Sequence, residues 1–188
     1  MNIALFGGTF DPPHVGHCII AEEAQQACGL DQVIFLPCHQ SPHKSTLPQA
    51  TDADRLAMLR LCTQEFPWAV VSDWELQQPK PSFSFETAEH FKAALPEANL
   101  FWLMGVDQWL ALERWGRPDL LAELLTFIVF PRDSISPAPN PKFRSVFLQR
   151  EIMVSATTIR GRVHAGESIS ELVHPEVDRF IQSHSLYH

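Results

Sequence analysis

The stretch Gly7-Gly8-Thr9-Phe10-Asp11-Pro12-Pro13-His14-Val15-Gly16-His17 decides the fold of this chain. Just before it, Ile3-Ala4-Leu5-Phe6 is a short apolar run that reads as a buried strand. Just after it, Val15 to Gly29 brings Ile19, Ile20, Ala24 and Ala27 near one face of a helix. Strand, glycine-rich turn and helix in that order open a βα unit. The glycines let backbone approach a ligand closely, and the helix N-terminus supplies unpaired N–H groups and a positive dipole end. His14 and His17 are three apart, so both rings can lie on one side of the first turn. Two imidazoles beside helix N–H groups make a cradle for phosphate oxygens. Taken alone, the same pair reads more readily as two partly exposed histidines at a turn.

Outward from this stretch, short apolar runs alternate with segments of helical period. Val33 to Leu36 is the second strand, closed by Pro37, and Cys38 to Thr51 reads as a long loop. Asp52 or Asp54 starts a helix holding Leu56, Leu59, Leu61 and Cys62, followed by a strand from Trp68 to Ser72. Ser84 is expected to cap a helix running to about Leu95. Leu100 to Met104 is a strand ending at Gly105, and two short helices separated at Gly116 and Pro118 precede the strand Thr126 to Phe130. Residues 131 to 144 hold Pro131, Pro137, Pro139 and Pro141 and are expected to form a mobile surface loop. Glu151 to Val154 is expected to be the last strand. Ser155 caps a helix to about Ala165, and Pro175 opens a terminal helix with Val177, Phe180 and Ile181 on one face. The alternation predicts an α/β fold: a single doubly wound, mainly parallel sheet with helices on both faces, one domain over residues 1–188. Such sheets bind ligands at the carboxyl ends of their strands, here the loops after Phe6, Leu36, Met104 and Val154.

Composition narrows the function. With 188 residues, 45% apolar and 19% charged, the chain is long enough for one well-buried domain. Fourteen Lys and Arg against 22 Asp and Glu give a net charge of −8. That balance argues against binding nucleic acid or an anionic membrane through a broad basic surface. It leaves room for an anionic small molecule held by a few local positive groups. No apolar run reaches the ~20 residues of a membrane span. The four cysteines, Cys18, Cys28, Cys38 and Cys62, form no C-x-x-C pair and read as reduced, mostly buried side chains. The expected compartment is the cytoplasm.

The residue 7–17 string resembles the G-x-F-D-P-x-H-x-G-H signature of the nucleotidyltransferase superfamily. Within it, Pro12 and His14 make the sequence similar to the nicotinate-mononucleotide adenylyltransferases. Three further segments carry the resemblance. Ser41-Pro42-His43-Lys44 is similar to the family's P-P-H-K, with Ser41 in place of a proline. Gly105-Val106-Asp107, with Trp115 downstream, is similar to its G-x-D…W element. Val154-Ser155-Ala156-Thr157-Thr158-Ile159-Arg160 is similar to its I-S-[SA]-T-x-I-R. Pro81-Ser82-Phe83-Ser84 aligns with its S-Y-T; Phe83 lacks the tyrosine hydroxyl, and Ser84 lacks the threonine methyl.

The resemblance implies a Rossmann-like fold and transfer of the adenylyl group of ATP to nicotinate mononucleotide, releasing pyrophosphate. It implies that His14, His17, Lys44 and Arg160 serve catalysis. ATP is expected on Gly7, Gly8, Thr9, Phe10, His14, His17, Lys44, Gly105, Asp107, Arg132, Ser155, Thr157, Thr158, Ile159 and Arg160. Nicotinate mononucleotide is expected on His39, Phe83, Ser84 and Trp115. Mg²⁺ is expected to come with ATP and to be held mainly by its phosphates and water, with no metal site built from side chains. Nicotinamide mononucleotide is the nearest alternative acceptor. A catalytically silent nucleotide-binding protein, and a zinc site on His14, His17, His39 and His43, are alternatives of other classes.

Overall fold

The computed structural model describes residues 1–40, 46–132, 135 and 137–188. Six strands form one sheet: β1 (Asn2–Gly8), β2 (Gln32–Pro37), β3 (Ala69–Val71), β4 (Asn99–Gly105), β5 (Leu125–Phe130) and β6 (Ser145–Phe147). Their spatial order is β3-β2-β1-β4-β5-β6, and every neighbouring pair is parallel. The order reverses between β1 and β4, so a crevice opens beyond the carboxyl ends of these two strands.

The sheet is buried on both faces, which is why its strands read as continuous apolar runs. Ala4, Phe6, Val33, Phe35, Leu103 and Ile128 face one core. There they meet α1 (Val15–Cys28), α2 (Asp52–Thr63), α6 (Ala156–His164) and α7 (Pro175–Ser183). Their neighbours Ile3, Leu5, Ile34, Leu36, Trp102, Met104, Phe127 and Val129 face the other core. That core is covered by α3 (Ser84–Ala94), α4 (Val106–Ala111) and α5 (Pro118–Leu124). The alternation is the period of two that a pleated strand imposes.

Helix ends follow the capping chemistry read from the sequence, with one exception. α1 stops at Gly29, whose left-handed conformation (φ 56°, ψ 46°) suits glycine. Thr51 caps α2, and Ser155 caps α6 by accepting the Thr158 N–H. The exception is α3. Phe83, not Ser84, sits at the cap with no side-chain bond, and Ser84 is the first helical residue.

Two further expectations are corrected. The last strand is Ser145–Phe147, paired with Phe127–Val129, and Glu151–Val154 makes no ladder. Ile152 and Val154 pack against the first core while Met153 is exposed, so alternation there reflects packing of an extended segment, not strand pairing. The proline-rich 131–144 segment is also tied down where it is described. The Trp109 indole N–H donates to the Ala138 carbonyl at 2.9 Å, and buried Phe143 packs edge-on against Trp109 and Phe127. No helix among the described residues is long and apolar enough to cross a membrane.

Candidate active site

The crevice beside β1 and β4 is a cavity of about 410 Å³, a size that suits a small-molecule site. Its walls come from the loop after β1, the start of α1, the ends of β4 and β5, and the start of α6. Of the residues singled out in the sequence, Gly7, Gly8, Thr9, Phe10, His14, His17, Ser84, Gly105, Asp107, Trp115, Arg132, Ser155, Thr157 and Arg160 all line it. Residues more than a hundred positions apart thus converge where the topology predicts.

The histidine pair is set by local backbone. The His14 N–H donates to His17 Nδ1 at 3.1 Å, which places the His17 proton on Nε2. The two rings stack with centroids 3.6 Å apart. Gly16 is required between them, because a Cβ there would lie 2.3 Å from Ile152 Cγ2 and 3.0 Å from His14 Nδ1. His14 is buried, with no hydrogen-bond partner on Nδ1 among the described residues. Burial, helped by the positive charge of Arg132, lowers its pKa to about 4. His14 is therefore neutral at pH 7 and serves the site as a polar ring, not as a cation.

Ionic groups, of which Asp11 and Arg55 are buried, brace the loop that carries this pair. Phe10 adopts φ 50°, a left-handed conformation that costs a bulky L-residue on the order of 1–3 kcal/mol. Bonds on both sides hold it. The Asp11 carboxylate accepts the Gln49 N–H (2.8 Å), the Ala50 N–H (3.0 Å) and the Tyr187 hydroxyl (2.8 Å). Fully buried Arg55 donates to the Thr9 carbonyl at 2.6 Å and pairs with Asp52, whose other oxygen meets His39. Arg160 donates to the Asp11 carbonyl at 2.7 Å and to Thr157 Oγ1 at 3.3 Å. One guanidinium thus ties α6 to the first loop while lining the cavity.

The other end of the cavity is aromatic. Trp115 is buried and stands edge-on to Trp102, with ring centroids 6.3 Å apart. Ser82, Ser84 and the carboxyl of Glu75 join them in the wall. Glu75 lies in a 3-10 turn (Trp74–Gln77), is 4% exposed, and accepts the Thr87 hydroxyl at 2.7 Å. Burial pushes its pKa up to about 7, opposed by the Thr87 bond.

Four expected residues do not reach the cavity wall. Ile159 is a core residue, wholly buried against the first face of the sheet, because helical spacing from Ser155 turns it inward. Thr158 spends its N–H and hydroxyl on Ser155 at the helix cap. His39 is drawn aside to Asp52. Phe83 stacks on Phe85, centroids 5.6 Å apart, and is not part of the wall that Ser84 joins. Lys44, with His43, lies outside the described residues.

Several participants escape a sequence reading: Trp102 and Glu75 in the wall, and Arg55 and Tyr187 behind it. A signal existed for Arg55, which shares the helical face of Met58, Leu59 and Cys62. An arginine on an otherwise apolar stripe announces a buried, paired charge.

The family model for cytidylyltransferase-like proteins matches residues 5–162. A probable nicotinate-nucleotide adenylyltransferase from Methylacidiphilum infernorum (isolate V4) is 37% identical over 193 residues, covering 99% of this chain and 92% of that protein. The chain belongs to the nicotinate-nucleotide adenylyltransferase family. A second member, from Shouchella clausii (strain KSM-K16), is 36% identical over 186 residues, covering 99% of this chain and 96% of its own. Like the family, the chain is a nucleotidyltransferase. The fold agrees with a Plasmodium falciparum nicotinic acid mononucleotide adenylyltransferase solved in complex with NaAD, at a TM-score of 0.81 and 17% identity over 99% of this chain and 97% of that one. In that family setting, the residue 7–17 loop, the Asp107 and Trp115 positions and the Ser155–Arg160 turn stand around one crevice.

Proposed function

We infer that this site transfers the adenylyl group of ATP to nicotinate mononucleotide, giving nicotinate adenine dinucleotide and pyrophosphate for NAD biosynthesis in the cytoplasm. One observation carries the reading: His17, Arg160 and the starts of α1 and α6 face the same cavity as Trp115. A phosphate-gripping end and an aromatic end thus share one crevice.

The acceptor phosphate attacks the α-phosphorus of ATP in line with the departing pyrophosphate. Charge builds on non-bridging oxygens, so positioned donors supply most of the acceleration, and neither a covalent intermediate nor a general base is needed. His17 donates from Nε2 to the α-phosphate, with neutral His14 beside it. Arg160 and the Ser155–Thr157 turn hold the departing phosphates, and Lys44 joins them. Mg²⁺ enters as the MgATP substrate, carried on phosphate oxygens and water. Asp107, at the start of α4, accepts from the ribose hydroxyls of the adenosine. Trp115 stacks on the pyridine ring, whose electron-poor face suits an indole. Ser84, at the start of α3, contributes its hydroxyl on the acceptor side.

Pyrophosphate release from MgATP, measured with each mononucleotide in turn, tests the reading. Turnover that needs nicotinate mononucleotide supports it, and ATP binding with no pyrophosphate release contradicts it.

A further inference from the structure

Asp11 is where four separate segments of the chain meet. Its carboxylate, 5% exposed, takes two N–H groups from residues 49 and 50 at the entry to α2, and its carbonyl takes the Arg160 guanidinium of α6. The fourth bond arrives from 176 residues away, where Tyr187 donates its hydroxyl to Oδ1 at 2.8 Å from a buried ring. The chain bends sharply to deliver it. Ser185 (φ 49°) and Tyr187 (φ 66°) both adopt the left-handed region after α7, conformations that non-glycine residues hold only when their surroundings over-determine them.

We propose that Tyr187 is a positioning residue, whose hydroxyl completes the buried set of bonds on Asp11 and so fixes the residue 7–17 loop and Arg160 in the register that adenylyl transfer requires. The proposal rests on the functional reading above. Phenylalanine fills nearly the same volume as tyrosine, so a ring that merely packs predicts no kinetic change on losing its hydroxyl. A bond to a buried carboxylate predicts one, because the carboxylate loses one of the three donors that fix its position. Burial and the neighbouring Asp11 charge hold the phenol well above its ordinary pKa, so it stays a donor throughout the working range.

The effect is directional. Asp11 touches the loop carrying His17 and the guanidinium of Arg160, both at the phosphate end, and makes no hydrogen bond to Trp115 or Ser84. Tyr187→Phe is therefore expected to lower kcat about tenfold. KM for nicotinate mononucleotide should stay within twofold, and the circular-dichroism spectrum should be unchanged.

The test is a double-mutant cycle on the intact chain, read by pyrophosphate release with MgATP and nicotinate mononucleotide. In an Asp11→Asn background, Tyr187→Phe should cost less than twofold further, because the bond it removes is already compromised. If Asp11→Asn does not fold, Arg160→Lys replaces it; that background keeps the Tyr187 bond but loses the guanidinium whose register the bond sets, so Tyr187→Phe should again cost less than twofold further. The proposal is overturned if Tyr187→Phe keeps kcat within twofold. It is also overturned if the variant loses its turnover through KM for the acceptor, or loses tenfold again in the second background. A wild-type chain releasing no pyrophosphate would overturn the functional reading and this proposal together. Loss measured against an active wild type bears on the Tyr187 bond alone.

Discussion

The two ends of the cavity are built by different physics. The proposed phosphate end, on the side of the sheet covered by α1, α2, α6 and α7, is braced by charged side chains, with Arg55 and Asp11 buried. Arg55, Asp52, Asp11 and Arg160 hold the first loop through its carbonyls and one carboxylate. The acceptor end, on the side covered by α3, α4 and α5, is a wall of Trp102 and Trp115 closed by one buried carboxyl, Glu75. Under the proposed function, phosphate groups ask for donors at fixed points, which the paired end supplies, and a pyridine ring asks for a flat face, which the aromatic end supplies.

The difference gives each end its own failure mode. Removing fully buried Arg55 leaves a cavity and takes the donor from the Thr9 carbonyl, while part-exposed Asp52 keeps water and His39, so Arg55→Ala should destabilise the fold by about 2–4 kcal/mol. Thermal unfolding should show that as a Tm lower by roughly 4–16 °C, and a Tm unchanged within about 2 °C would separate the bracing from the stability of the loop. His17→Ala leaves the charge network intact. It costs the His14 N–H its acceptor, so Tm should fall by only a few degrees, while kcat for pyrophosphate release falls roughly 10²–10³-fold. Near-normal turnover in that variant would remove His17 from the chemistry.

At the aromatic end the loss should appear in binding. Trp115→Ala is expected to raise KM for nicotinate mononucleotide about 30-fold, roughly 2 kcal/mol, with KM for ATP within twofold. A rise in both would mean that the ring supports the whole crevice.

The smallest effect is a tilt in stability against pH. His14, with its folded pKa lowered to about 4, contributes stability fully above its unfolded value of 6.5 and loses it as pH falls toward 4. Glu75, raised to about 7 from 4.5, does the reverse: it contributes below 4.5 and loses that as pH rises through 7. Between pH 4.5 and 6.5 the two slopes oppose each other. Glu75→Gln removes one, so its unfolding free energy should climb across that window by roughly 1–2 kcal/mol more than that of wild type, with Tm following. Parallel pH profiles for the two proteins would show that Glu75 is not held protonated.

The same contrast explains what could be read from the sequence. The doubly wound, mainly parallel sheet and the crevice at the carboxyl ends of its strands are legible, because apolar runs, glycines and helix caps act locally and at short spacing. Ser155 capping α6 and Gly29 ending α1 follow from neighbours within four residues. The missed strand did not, because Ile152 and Val154 alternate for packing reasons that only the placement of α1 reveals. Ile159 looked like part of a phosphate turn, yet helical phase sends it into the core. Long-range partners were the hardest to see. Nothing adjacent to Tyr187 hints at Asp11, and nothing near Glu75 in the sequence points to the Trp102 and Trp115 wall. The acceptor end is therefore less legible than the phosphate end, as its Phe83 and Ser84 departures from the family pattern also show.

Under the proposed function, one crevice joins ATP to a mononucleotide carrying a carboxylate. Pyrophosphate release by the wild-type chain, with MgATP and either nicotinate or nicotinamide mononucleotide at matched concentrations, addresses it most directly. Faster release with the acid acceptor is the expected result. A preference above about tenfold for the amide, or no release with either, would contradict it.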